Sequence, residues 1–186
     1  MARDRPRFLR SQRDMVFSLA PLVLLCLAFA GLVSQCQFAP GGPTQGQIPN
    51  FDVHAALRSD AESLNFPIRD PQVPADWRSN SGSQGTVGGD RIASTVGFIT
   101  PPGHYLQLTQ SDADADDLVS FVAGQRSVTG SREIAGRRWA IYAEPGSEQV
   151  WVTDFGAARV LLRGSADDAE YTTLATSVGA ATPLAR

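Results

Sequence analysis

Four aspartates fall in register with the first half of a calcium-binding loop: Asp112, Asp114, Asp116 and Asp117 in the run DADADD. Alternate carboxylates converge on a hard cation when a glycine makes the sharp turn and a bidentate glutamate closes the loop. Here Asp117 takes the glycine position and Ala123 the glutamate position. Asp112, Asp114 and Asp116 therefore amount to half a metal site, and no metal or cofactor is expected. The ordinary reading is an acidic first helical turn that complements the helix dipole, with Asp114 as its cap.

His54 and His104 are the only histidines. No His-x-x-x-His pair and no Gly-x-Ser-x-Gly elbow accompanies them, so both read as surface residues. Asp154-Phe155-Gly156 spells the magnesium motif of protein kinases without a catalytic His-Arg-Asp, and reads as a hairpin turn. Gly82, Gly85, Gly88 and Gly89 crowd one stretch, but neither an opening strand nor a following helix is expected there, and a phosphate cradle needs both. Trp77, Trp139 and Trp151 remain as ligand- or partner-binding candidates. On an exposed sheet face they would make a platform for a protein or glycan. On a covered face Trp139 and Trp151, on neighbouring strands, would pair in the core. No catalytic residue is nominated, and whether the chain is an enzyme stays open.

The charges narrow the field. All 16 basic residues are Arg, which removes Walker-type phosphate loops, Schiff-base lysines and Ser-x-x-Lys nucleophiles. Five Arg lie within the first 14 residues beside two Asp, while the remainder carries 11 Arg against 17 acids. An acidic remainder without a basic stripe argues against nucleic-acid binding. The only cysteines are Cys26 and Cys36, both before the folded region, which excludes thiol catalysis and thiolate zinc sites there.

Between the basic tail and the rest, Met15 to Val33 holds 19 residues without a charge. At a helical rise of about 1.5 Å per residue they match a hydrocarbon core of about 30 Å. Arginines crowd only the N-terminal side, so the positive-inside bias places the tail in the cytoplasm and the C-terminal domain outside it. The rival is a cleaved leader ending at Ala28-Phe29-Ala30. Val33-Ser34-Gln35-Cys36 has the outline of a lipid-attachment box, with Gln35 where a small residue belongs. The expected organisation is a cytoplasmic basic tail (1–14), a transmembrane helix (15–35), an extracytoplasmic linker (36–50) rich in Gly, Pro and Gln, and an α+β domain (51–183).

Within that domain, Val53, Ala56, Leu57, Ala61 and Leu64 keep helical spacing behind Asn50 or Asp52 as cap. Phe66 to Trp77 has three prolines and reads as an ordered loop, and Ser79 to Gly89 as a flexible turn. Ile92, Val96 and Phe98, then Leu106 and Leu108, give a hairpin across Pro101-Pro102-Gly103. A second helix runs from Asp114 to Ala123. Four short strands follow, at Ser131–Ile134, Arg138–Ala143, Gln149–Thr153 and Ala158–Arg163. The last helix is expected to start on a capping box of Ser165 with Asp168, to bury Tyr171, Leu174, Ala175 and Val178, and to close at Gly179. The predicted architecture is α+β: an antiparallel sheet of about six strands flanked by helices, in the order α-β-β-α-β-β-β-β-α.

The N-terminal apolar segment, Pro74-x-x-Trp77, the Gly97 to Gln110 hairpin, Gly136-x-x-Trp139 and the closing segment Leu162 to Val178 carry a resemblance. Together they are similar to domain of unknown function 4245, a family of single-pass envelope proteins of high-GC Gram-positive bacteria. The resemblance covers Met15 to about Pro183 and implies no activity, cofactor or catalytic residue. The strand order is also similar to PsbP-like α/β/α folds, an analogy of shape alone. The expectation is a membrane-anchored extracytoplasmic module that binds an envelope protein, glycan or lipid partner without catalysing a reaction. The alternative is a carboxylate-dependent cell-wall hydrolase.

Overall fold

The first helix of the folded domain begins where Asp52 offers its side chain to the Ala55 N–H at 2.9 Å, satisfying one of the amides a helix start leaves unpaired. In the computed structural model, which describes residues 17, 19–26 and 51–185, this helix (α1) spans Val53–Ser63. The chain divides into two units, Met1–Gln47 and Ile48–Arg186. In the first, residues 17 and 19–26 are helical. Among the described residues no helix is long and apolar enough to cross a membrane. The expected span over 15–35 lies largely outside the described residues, as do Cys36 and the linker.

The second unit is an α+β domain built on one seven-stranded sheet, antiparallel at every pairing. Its strands are β1 (Arg78–Val87), β2 (Arg91–Ile99), β3 (Tyr105–Ser111), β4 (Gly130–Ile134), β5 (Arg137–Tyr142), β6 (Gln149–Asp154) and β7 (Arg159–Gly164). The spatial order is β1-β2-β3-β7-β6-β5-β4. Two meanders, β1 to β3 and β4 to β7, thus meet along β3 and β7. Helix α2 (Ala115–Ala123) joins them in sequence, and α3 (Asp168–Ala180) closes the chain.

Period-two alternation sends side chains to opposite faces of the sheet. Val96, Phe98, Leu106, Leu108, Trp139, Trp151, Val160 and Leu162 face α1 and α3, packing with Leu57, Ala61, Tyr171, Leu174 and Val178. Ala93, Tyr142, Val150, Val152 and Leu161 face the other way and pack with Leu118 and Val119 of α2. Most of these are fully buried, and each such Leu or Val contributes about 1.5–3 kcal/mol relative to exposure.

Sequence and structure part company at β1. Ser79 to Gly89 reads as a flexible turn because it lacks alternating apolar residues, yet most of it is an edge strand, making seven strands rather than six. Its glycines are the reason. The Phe51 ring lies against Gly82, where an added Cβ would come within 2.4 Å of it, and the Phe121 ring against Gly85 at 2.5 Å. The strand therefore recruits aromatic cover from α2 and from the residue before the α1 cap, instead of supplying its own apolar side chains. Gly88 and Gly89, at φ of 58° and 98°, turn the chain into β2.

A second correction concerns α3. The capping box is formed by Asp167 and Glu170, not Ser165 and Asp168, and the helix runs through Gly179 to Ala180. Ser165 Oγ instead accepts from the Tyr105 N–H at 3.0 Å, while the Ser165 N–H donates to the Tyr105 carbonyl at 2.9 Å.

Gly164, at the end of β7, is the tightest backbone approach in the sheet: an added Cβ would lie 2.0 Å from the Tyr105 carbonyl oxygen. The substitution Gly164→Ala forces β7 away from β3 and is expected to cost about 3 kcal/mol. Urea unfolding would check this, as a lower midpoint at unchanged slope.

Candidate functional site

Each sequence candidate is met first as a packing element. Trp139 and Trp151 are both 0% exposed, beneath α3. The condition for a binding platform, an exposed sheet face, is not met at either. Trp151 lies opposite Ile141, so Trp139 sits two positions along its strand and the two indoles are not directly paired. Trp151 stacks instead on Tyr171, with centroids 4.8 Å apart, and its Nε1 donates to Gln149 Oε1 at 3.0 Å. Arg132 lies over its ring at 5.1 Å. Trp139 Nε1, equally buried, has no partner among the described residues. Trp77 is the partly exposed member and packs against Phe98 at 6.4 Å.

The aspartate run does not converge. Asp112 pairs with Arg91 at 2.6 Å, Asp114 stands at the α2 cap, and Asp116 lies in the first helical turn. No group of three or more His, Cys, Asp or Glu that could hold a metal occurs among the described residues.

Both histidines are joined to carboxylates. His54 Nδ1 lies 2.8 Å from each carboxylate oxygen of Asp70, fastening α1 to the Pro-rich loop. His104 Nδ1 lies 2.8 Å from Glu170 Oε2, which also accepts from the Asp167 N–H. Burial pushes the Glu170 carboxyl up. Hydrogen bonds from Thr100, the Asp167 N–H and His104, together with the His104 charge, outweigh it and hold the carboxyl below its ordinary value.

Beside α1, a cavity of about 260 Å³ is lined by Phe51, Ala56, Asp60, Gly82, Gln84 and Val96 among others. Its single carboxylate, Asp60, accepts from Gln84 Nε2 at 2.6 Å and Ser94 Oγ at 2.5 Å. Hydrolysis of a glycosidic bond needs two carboxylates facing one cleft. This cavity does not provide them.

Another cluster lies where the Pro-rich loop, the start of β5 and the β6–β7 turn meet. Arg69 and Arg137 place their guanidinium carbons 4.0 and 3.9 Å from the centroid of the Phe155 ring. The Arg69 backbone is clamped from within: its N–H donates to Gln110 Oε1 at 2.8 Å, and its carbonyl accepts from Gln110 Nε2 at 2.9 Å. Gln110 itself is buried. Residues Arg69 and Pro183 form a β-bridge, and Leu184 N–H donates to Ile68. Burial first, and the Arg137 charge second, push the Arg69 guanidinium below its ordinary value. Sequence reasoning missed this cluster because its residues come from three segments distant in sequence: the Pro-rich loop, the first residue of β5 and the β6–β7 turn. The only foreshadowing was the ordered Pro-rich loop and the tight turn around Phe155.

These features define an α+β domain held together without cysteine, in which the named candidates serve mainly to dock elements on one another. The chain belongs to the family described as Protein of unknown function (DUF4245), which matches residues 7–178. No curated protein and no solved structure matches it.

Two outcomes follow from this wiring. Trp151→Phe is expected to cost about 1–2 kcal/mol more than Trp139→Phe by thermal denaturation, because only Trp151 loses a hydrogen bond with its indole N–H. For Glu170 the folded value lies below the unfolded one. Its contribution is complete above the ordinary value of 4.5 and is lost as pH falls through the lower folded value. Urea midpoints taken from about pH 6 to about pH 3 should show this acid loss in the wild type, and a smaller one in Glu170→Gln.

Proposed function

We propose that the chain is a membrane-anchored extracytoplasmic module that binds a component of the cell envelope and does not catalyse a reaction. The observation that carries the topology is the pattern of five arginines within the first 14 residues, followed by 19 uncharged residues from Met15 to Val33. Threading that segment through a bilayer with the arginines retained leaves the α+β domain outside the cytoplasm. The absence of cysteine from 51–186 fits a domain that meets an oxidising compartment with nothing to mispair.

Binding rather than catalysis is supported by how the reactive side chains are employed. His54 and His104 are engaged by Asp70 and Glu170, and Asp60 by Gln84 and Ser94. A carboxylate on Nδ1 leaves the other ring nitrogen of each histidine able to take a proton, but among the described residues the imidazoles are bonded to carboxylates alone, with no hydroxyl nucleophile on either ring. These groups spend their contacts on holding α1, the Pro-rich loop and α3 in place.

The topology is tested by fusing alkaline phosphatase or a fluorescent protein to the C-terminus of the full chain. The phosphatase fusion should be active and the fluorescent fusion dark, with the protein retained in membranes after carbonate extraction. A fluorescent fusion, or release into the soluble fraction, would defeat the reading. Crosslinking in native membranes should then yield a defined envelope partner.

A further inference from the structure

The two edges of the sheet are built differently. At one end β4 has five residues and carries Arg132 and Glu133, a short, charged edge of the kind that discourages pairing. At the other end β1 has ten residues, against a usual length of about 5–6. It contains no Pro, and its one charge is Arg78 at the first position. Its pairing with β2 is regular from Ser81 to Val87, after one irregularity between Ser79 and Ser81. Among the described residues no backbone group other than those of β2 bonds to the β1 backbone. Alternate N–H and C=O groups therefore point outward unpaired, which makes the edge a template for another strand. A second observation falls at the same place. In the domain, the exposed large hydrophobics among the described residues are Phe121, 46% exposed, and Val128. Phe121 is the one laid on β1, at Gly85, while the half-buried Phe51 ring covers Gly82 on the opposite face. A strand added here would be flanked by an aromatic ring on each face and would bury more of both.

Charge selects the occupant. Two copies of β1 laid antiparallel are related by a twofold axis, so each Arg78 comes to the end of the other strand that leads into the β1–β2 turn. Asp90 stands in that turn with its side chain 84% exposed. Its nearest cation is Arg91 at 3.7 Å, and Arg91 lies closer to Asp112, at 2.6 Å. Arg78 has no ion pair among the described residues. The antiparallel arrangement keeps the two Arg78 side chains roughly 25–35 Å apart, at opposite ends of the paired strands. A parallel one would set them side by side, which is unfavourable. Between its ends β1 is Ser, Asn, Gly, Gln and Thr, with nothing to repel its own copy. We propose that β1 is the edge on which a second copy of this chain docks, β1 antiparallel to β1, extending the sheet across a twofold axis. The pairing goes beyond the envelope-binding reading and does not depend on it.

The experiment uses the full chain in neutral detergent micelles, with its two cysteines removed as Cys26→Ser and Cys36→Ser. On that background Ser83→Cys, at the exposed middle of β1, should be joined to a second copy by a short bismaleimide, and Ser131→Cys, exposed on β4, should not. Sedimentation of the cysteine-free chain should show a dimer that dissociates on dilution. Ser83→Lys sets like charges beside the twofold axis and should weaken the dimer about fivefold, as should Ser83→Asp. An equal mixture of the two should recover it, because only there does Lys meet Asp. Should a charge variant fail to fold, the contrast in crosslinking between residues 83 and 131 decides the matter. A chain that stays monomeric at every concentration overturns the pairing. So does a dimer that crosslinks equally through residue 131, or one indifferent to charge at residue 83. A photoreactive residue at position 83 in native membranes addresses the other occupants. Capture there of a second copy supports the pairing, and capture of a different chain, or of residues 36–50 of the same chain, overturns it.

Discussion

The pairing of β3 with β7 is the constraint on which the rest of the domain depends. It joins two meanders that otherwise share no strand contact, from Leu106 opposite Gly164 to Ser111 opposite Arg159. The seam can close at its end only because Gly164 has no side chain, which lets the Tyr105 carbonyl approach and bond to Ser165. The buried Tyr171 hydroxyl shares its one proton between the Gln149 carbonyl at 2.6 Å and the same glycine's carbonyl at 3.1 Å. Burial drives the Tyr171 phenol far above its ordinary value, so it remains a neutral donor. One side chain of α3 thereby pins the helix over the place where β6, β7 and β3 come together.

With that seam fixed, the remaining polar contacts can be read as docking devices. Arg126 and Arg163 reach the last carbonyls of α2, at Ala123 and Val122, and hold the β5–β6 turn through Glu148. Cations at a helix C-terminus complement both its unpaired carbonyls and its dipole. Arg69 does the same for α3 through Ala181. A guanidinium suits this work because its planar fork serves a carbonyl and a carboxylate at once, where an ammonium is a point charge.

Much of this was legible in the sequence. The three helices, the hairpin of β2 and β3, the four strands that follow and the covered apolar stripe on α3 all follow from periodicity and turn residues, because each carries its own apolar signal. What escaped notice carries its signal elsewhere in the chain. β1 is a strand because Phe51 and Phe121, distant in sequence, lay rings on Gly82 and Gly85. Asp167 outcompeted Ser165 as cap because Ser165 was already engaged by Tyr105 across the seam. His54 and His104 read as surface residues, and their carboxylate partners lie 16 and 66 positions away. The candidate site was the least legible part. Trp77, Trp139 and Trp151 stood out by residue type, but type cannot say which face of a sheet a helix will cover.

The arginines show how the domain accommodates its cations without a lysine. Arg126 is nearly buried, and it and Arg163 each have both a carbonyl and a carboxylate in reach, so their charge is compensated within the fold. Arg91, Arg132 and Arg159 likewise each face an acid. Arg69 and Arg137 share the Phe155 ring, each bonds a backbone carbonyl, and neither has an acid within ion-pair distance among the described residues. The fold itself brings the pair together: Arg69 closes the C-terminal end of α3 at Ala181, Arg137 holds the Asp154 carbonyl of the β6–β7 turn, and both cover the Phe155 ring.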